Sequence, residues 1–229
     1  VKILADGSLG GQTAALKEPY ADRPETSGMM LYSEKELNRF VTKAHGAGLQ
    51  LAIHAIGDRT METVLKAYSK ALKKCPRKDH RHRIEHCSVL SQELIKGIKK
   101  LNLIASVQPH FVVSDFWVTD RVGTNRARWV YPFATLIKED LKVVSGSDCP
   151  IEPINPTLGI WAATARRDFP EERLTTEEAL KTYTVNAAYA SFDECTRGTI
   201  QAGRLADLTL LSEDLLKIPP EKIKNIKVW

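Results

Sequence analysis

Three side chains able to bind a metal or move a proton close three separate apolar runs. His54 ends Leu51-Ala52-Ile53-His54, His86 ends Arg83-Ile84-Glu85-His86, and Asp148 ends Val143-Val144-Ser145-Gly146-Ser147-Asp148. If these runs are parallel strands, their carboxyl ends share one edge of a sheet, where the ligand sites of α/β proteins form. Two imidazoles and a carboxylate meeting there make a nitrogen and oxygen shell suited to zinc or a similar divalent ion. A lone strand-end histidine is more often a structural hydrogen-bonded residue, and a lone aspartate more often a helix cap. Three on successive strand–helix junctions favour a site. Lys2 adds to the set: it lies on the first apolar run, ahead of the loop Asp6-Gly7-Ser8-Leu9-Gly10-Gly11, which is flexible enough to run close to a ligand. By composition alone, Lys2 would be an edge-strand lysine facing water.

The elements that must position these residues are short β-type runs alternating with helical patterns, the signature of repeated β-α units and a mainly parallel sheet. Strands are expected over 1–5, 49–54, 82–86, 103–108 and 142–147. Ser33 begins a capped helix with Leu37, Phe40, Val41 and Ala44 at helical spacing, stopped by Gly46 and Gly48. Asp58 is placed to cap a helix carrying Met61, Val64, Leu65, Tyr68 and Leu72, and residues 91–100 form another. Residues 109–140 read as a structured excursion over one face. Beyond Asp148, helices are expected over 156–167 and 175–191, then a turn over 198–203 between strands, with 206–211 and 223–229 as β candidates. Five parallel strands fit either an open doubly wound sheet or the later five-eighths of a barrel.

Bulk properties narrow the class without naming a function. A chain of 229 residues with 43% hydrophobic and 27% charged residues has material for a sizeable core and excludes collagen-like, disordered and disulfide-scaffold classes. Cys75, Cys87, Cys149 and Cys195 form no CxxC pair, which leaves no zinc-finger or thioredoxin-type reading and favours a reducing, cytoplasmic setting. No window has the run of apolar residues a membrane span needs. The net charge of +5 is densest where Lys73, Lys74, Arg77, Lys78, Arg81 and Arg83 face only Asp79. No aromatic residues interleave them, so a solvated helix end is favoured over a nucleic-acid contact. The chain opens without methionine on Val1-Lys2-Ile3-Leu4-Ala5, which reads as the middle of a strand and suggests a fragment.

Six separately placed motifs carry a family resemblance: Lys2-Ile3-Leu4-Ala5-Asp6-Gly7-Ser8-Leu9-Gly10, His54-Ala55-Ile56-Gly57-Asp58, Arg83-Ile84-Glu85-His86, Gln108-Pro109-His110-Phe111, Gly146-Ser147-Asp148-Cys149-Pro150 and Gly203-Arg204-Leu205-Ala206-Asp207-Leu208. In this order they resemble the amidohydrolase superfamily, specifically the amidohydrolase family 3 (YtcJ-like) metal-dependent hydrolases, across nearly the whole chain. The resemblance implies an α/β fold: strands four to eight of a distorted TIM (β/α)8 barrel over residues 1–194, and part of a small composite β-sandwich over 195–229. It implies hydrolysis of a non-peptide carbon–nitrogen, amide-type bond by metal-activated water. Zinc is the implied ion, with one or two in the full-length protein. Lys2 matches a lysine carboxylated to a bridging carbamate, His54 and His86 match ligands of a second metal, and Asp148 matches a first-metal ligand that accepts the proton of the attacking water. Such metals acidify water and polarise the scissile carbonyl.

Further candidates are Gln108, His110 and Arg126 as substrate contacts and Asp58 as a residue orienting a ligand histidine. Cys87 and Cys149 each follow a ligand candidate, so strand alternation should turn both away from the site and into the layer between strands and helices. The family's opening His-x-His is not found in a suitable strand. His80 and His82 have its spacing but precede the wrong strand amid arginines, and are read as a decoy. The missing N-terminal half of the barrel, with its histidines, is therefore expected upstream of Val1, and the fragment alone should be inactive. The expected partner is a small amide-type substrate, with neither nucleic acid nor membrane involved. The open first-strand edge invites self-association as a homo-oligomer. The competing reading is a non-catalytic, regulatory relative.

Overall fold

The computed structural model describes residues 1–229. All five expected strands form, trimmed at their ends: β1 (Lys2–Leu4), β2 (Ala52–Ala55), β3 (Arg83–His86), β4 (Ile104–Val107) and β5 (Val143–Ser145). They are parallel and lie in chain order β1-β2-β3-β4-β5. The order never reverses, so the sheet lacks the switch point that defines a doubly wound fold.

Register sorts the side chains onto two faces. Lys2, Leu4, Ala52, His54, Arg83, Glu85, Ile104, Ser106 and Val144 share one face, because paired residues on parallel strands point the same way. Ile53, Ile84 and Ala105 point to the other and are fully buried. That second face is covered by α1 (Glu34–Gly46), α2 (Asp58–Lys74) and α3 (Gln92–Lys100). Helix α1 starts as its sequence suggests, with Ser33 and Glu36 forming a reciprocal capping box, and Ser91 caps α3 through Leu94 N. Met61, Val64 and Tyr68 of α2 are fully buried, and each such apolar side chain contributes roughly 1.5–3 kcal/mol. The Tyr68 hydroxyl also donates to Arg83 O at 2.8 Å, pinning α2 to β3.

The first face is the more polar, carrying Lys2, His54, Arg83, Glu85 and Ser106. Glu85 accepts from Arg83 Nε at 2.8 Å and Ser106 Oγ at 2.6 Å. Burial opposes its charge most strongly, yet Ser106, Arg83 and the Lys2 charge together hold its pKa below the ordinary carboxylate value.

The excursion over 109–140 folds into α4 (Phe111–Ser114), α5 (Val118–Val122), α6 (Thr124–Ala127) and α7 (Phe133–Lys138), and α8 (Pro156–Ala165) follows with Asn155 as its cap. The single helix expected over 175–191 is instead two, α9 (Thr176–Tyr183) and α10 (Val185–Ala190), broken at Thr184. The break lets Thr182 Oγ1 reach Ser145 Oγ at 2.8 Å while Asn186 Nδ2 reaches Val143 O at 2.9 Å, and Ala190 packs on Ile104 and Val144. Arg81, far from being solvated, clasps this segment. Its guanidinium pairs with Asp79 and Glu194 and lies 3.9 Å from the Tyr189 ring centroid and 4.2 Å from that of Phe192.

The histidines at 80 and 82 join His45 in a buried chain of fixed tautomers. Leu51 N–H donates to His82 Nδ1 at 3.1 Å, so His82 carries its proton on Nε2 and donates to His45 Nδ1 at 2.8 Å. His45 Nε2–H in turn donates to Cys75 O at 2.6 Å. Separately, His82 N–H donates to His80 Nδ1 at 3.0 Å, and His80 Nε2–H donates to Leu101 O. These rings tie strand starts together, and burial pushes the His82 pKa down to about 3.

The tail departs from its sequence pattern. Residues 206–211 and 223–229 form no strands: the segments meet at one antiparallel bridge, Leu211 with Val228, and Pro220–Asn225 is a 3-10 turn. A strand needs a partner to satisfy its backbone, and Leu208 and Leu210 remain 66% and 67% exposed. At the opposite end, β1 pairs only with β2, and an apolar groove lined by Val1, Ile3, Leu4, Leu31 and Phe40 runs beside it. No helix is long and apolar enough to cross a membrane.

Candidate active site at the strand carboxyl ends

His54 closes β2 on the polar face. Simple alternation would send His86 to the opposite face, because its register partner is Ala55. The backbone overrides this: His86 has φ +79° and Cys87 φ +47°, a left-handed turn that costs a non-glycine residue about 1–2 kcal/mol. The turn swings the His86 ring edge-on against His54, with centroids 4.4 Å apart and planes at 71°. It also buries the Cys87 thiol, whose Sγ donates to Ile84 O at 3.5 Å.

Hydrogen bonds settle both tautomers. His54 Nε2 lies 2.9 Å from Gly7 O and 3.3 Å from Asp6 Oδ1; both are acceptors, so Nε2 carries the proton and Nδ1 the lone pair. His86 Nδ1 donates to Gln108 Oε1 at 2.7 Å, leaving the Nε2 lone pair. Histidines that bind metals characteristically give their other N–H to a carbonyl or carboxylate in this way. Burial first, and His54 second, push the His86 pKa down to about 4, so the ring is neutral at physiological pH despite the opposing pull of Asp148.

Asp6 organises the junction. Fully buried after β1, it accepts from Ala15 N at 3.0 Å and Gly57 N at 2.8 Å through Oδ2, and from Ile56 N at 3.1 Å through Oδ1. The loop after β1 is thereby tied to the turn that follows His54. Sequence reading quoted Asp6 only within a loop motif; its signal was an acidic residue between a buried strand and a glycine.

The remaining candidates fall in several places. Asp148 follows β5, is exposed with φ +54°, and its charge acts on His86. Lys2 is exposed at the start of β1, and its charge is felt at both His86 and Glu85. No group of three or more His, Cys, Asp or Glu side chains is so placed that it could hold a metal ion. The two imidazoles fit a zinc-like ion in kind, since each offers a free nitrogen and has its outer N–H held; in number they supply two of its usual four ligands. Asp58 neither caps α2, whose N-cap is Gly57, nor touches His54: its Oδ1 accepts from Lys17 N at 2.8 Å and Arg59 N at 3.0 Å. The orienting contact expected of it belongs to Asp6. Gln108 accepts the His86 Nδ1 proton through its Oε1. Arg126 donates to the carbonyls of Val122, Glu18 and Pro19, so its guanidinium is engaged in fastening loops. Cys149 is exposed instead of packed in the strand–helix layer, because its chain has left β5 four residues earlier. His110 donates from Nδ1 to Glu152, a buried acid that sequence reading did not single out.

Comparison with known proteins gives consistent relationships. The family model described as Amidohydrolase family matches residues 1–229. The protein named Putative amidohydrolase YtcJ of Bacillus subtilis (strain 168) is 41% identical, aligned over 100% of this chain and 44% of its own length. The N-substituted formamide deformylase of Arthrobacter pascens is 27% identical over 88% of this chain and 38% of its own. The crystal structure of an uncharacterized metal-dependent hydrolase from Pyrococcus furiosus superimposes with a TM-score of 0.86 at 39% identity, covering 95% of this chain and 45% of that one. The chain thus spans less than half the length of each of these relatives.

Proposed function

The chain belongs to the amidohydrolase family, and from that premise we propose that it supplies part of a metal-dependent site hydrolysing a carbon–nitrogen bond other than a peptide bond. The observation that carries the reading is the imidazole pair. His54 Nδ1 and His86 Nε2 are free while their partner nitrogens are fixed on Gly7 and Gln108. In this reading His54, His86, Asp148 and a carboxylated Lys2 would hold the divalent metal, zinc by preference, with one or two ions in the full-length protein. Such an ion, when bound, polarises a carbonyl and acidifies water. Asp148 takes a proton from the water attacking the carbonyl and returns it to the departing nitrogen. Its exposure at the strand edge leaves it open to both. The name of the Arthrobacter relative, a deformylase of N-substituted formamides, favours a small amide-type substrate.

The same proposal extends to architecture. A sheet in strict strand order, open at β1 beside an apolar groove, suits residues 1–194 as strands four to eight of a distorted (β/α)8 barrel. The unpaired β-type tail suits 195–229 as part of a composite sandwich whose other strands lie elsewhere in the polypeptide.

The test is metal content and turnover in the intact polypeptide. Wild type should retain one or two divalent ions per chain and hydrolyse members of an N-formyl and N-acyl amine panel. His54→Ala and His86→Ala should each lose at least one ion and most of the turnover. Undiminished metal in both variants would overturn the assignment, and tight metal binding without turnover of any amide would favour the regulatory relative.

A further inference from the structure

Two loops leave the carboxyl edge of the sheet on either side of the site, and one buried acid joins them. Residues 108–111 follow β4, and both ends of this stretch touch His86: Gln108 bonds it, and the Phe111 ring lies parallel to it at 6.2 Å and 10°. His110 lies between these two contacts. Glu152 arrives from the other loop, four residues after Asp148, with only 8% of its side chain exposed. Its Oε2 accepts from His110 Nδ1 and its Oε1 from Ser114 Oγ, so both carboxylate oxygens are occupied. Trp161 of α8 flanks the imidazole, its ring 6.4 Å away. His110 Nε2 has no partner in the protein, and the side chain is 18% exposed.

A carboxylate can only accept, so neutral His110 keeps its proton on Nδ1 and shows a lone pair at Nε2. We propose that Glu152 is a positioning residue, fixing His110 so that its Nε2 accepts a hydrogen bond from the N–H of a secondary amide substrate. This rests on the hydrolase reading above and adds a substrate class to it. A site built to accept from an N–H discriminates against an analogue lacking one, because the acceptor is then left unpaired. Ser114 holds the second oxygen, so one carboxylate joins the loop after β4 to the loop after β5.

The experiment has two arms, both on the intact polypeptide. In the first, ¹⁵N-histidine NMR reads the His110 tautomer, with His110→Gln assigning the resonance. Wild type should show the Nδ1–H form, and Glu152→Ala a mixture of both forms. If Glu152→Ala does not fold, Glu152→Gln decides the matter, because an amide can donate as well as accept and permits either tautomer. An Nε2–H form in wild type, or an unchanged tautomer in both variants, overturns the proposal. In the second arm, a secondary amide and its N-methylated counterpart are compared. Wild type should prefer the secondary amide by about tenfold or more in kcat/KM. His110→Gln and Glu152→Gln should each bring that ratio toward one, and the double variant no further, since the two act as a unit. A preference that Glu152→Gln leaves intact, or effects that multiply, overturns the proposal. Turnover of neither amide sinks the hydrolase reading and the substrate contact with it, while the tautomer still decides whether Glu152 positions His110.

Discussion

Replacing Asp6 tests whether the junction beneath His54 is organised as described. Its carboxylate takes three backbone N–H groups at 2.8–3.1 Å and lies 3.3 Å from His54 Nε2. In Asp6→Asn the amide oxygen will keep the Oδ2 position, which serves two donors, and turn its NH2 toward Ile56 N–H and His54 Nε2–H. One charge-assisted bond, worth about 1.5–3 kcal/mol, is lost, and the two that remain weaken to the neutral range. The expected destabilisation is about 3 kcal/mol, with two donors left facing an NH2. Asp6→Ala leaves all three N–H groups unpaired in a buried site, at roughly 1–3 kcal/mol each, which approaches the whole stability of an ordinary domain. Urea denaturation should show the Asn variant unfolding on the order of 1 M earlier with unchanged slope. Hydrogen exchange should quicken first at Ala15, Ile56 and Gly57. A midpoint within ~0.2 M of wild type, with those three amides still protected, would show that the carboxylate does not hold this junction.

Two further outcomes follow from buried geometry. His82 is fully buried and its pKa falls to about 3, so as pH drops below about 6.5 the unfolded chain binds a proton that the folded chain refuses. Stability present above pH 6.5 should decline by about 2 kcal/mol between pH 7 and pH 5, measured by denaturant midpoints; a flat profile there would refute the neutral histidine chain. A Cβ at Gly57 would lie 2.0 Å from Ala15 O and 2.4 Å from Ala15 C, both backbone atoms, whereas at Gly46 it meets nothing within 4 Å. Gly57→Ala should therefore cost roughly 2–4 kcal/mol and Gly46→Ala should be neutral or stabilising by up to about 1 kcal/mol, an order that thermal unfolding checks directly.

Much of this molecule is written locally. The capping box at Ser33 and Glu36 forms as its pattern indicates, and the cap at Ser91 and the burial of Ile53 and Ile84 likewise depend on neighbours a few residues away. The chemistry-bearing residues at strand ends were legible for the same reason, since a polar residue closing an apolar run is visible without knowing the fold. The tail shows the opposite case. Residues 206–211 have strong β composition, yet a strand's backbone is satisfied only by another strand, and here a single bridge is made.

What the sequence alone determined is the family, the order of the five parallel strands with α1, α2 and α3 between the first four, and which imidazoles end which strands. Tertiary structure decided how those groups face one another. A left-handed turn at His86 overrides alternation and brings its ring to His54. Asp6 takes the orienting contact that Asp58 was expected to make, Gln108 holds the His86 ring, and Glu152 reaches across 42 residues to His110. Each of these depends on hydrogen bonds between segments distant in the chain. Spacing along a sequence carries no record of them, because they exist only once parallel strands have placed their loops on one edge.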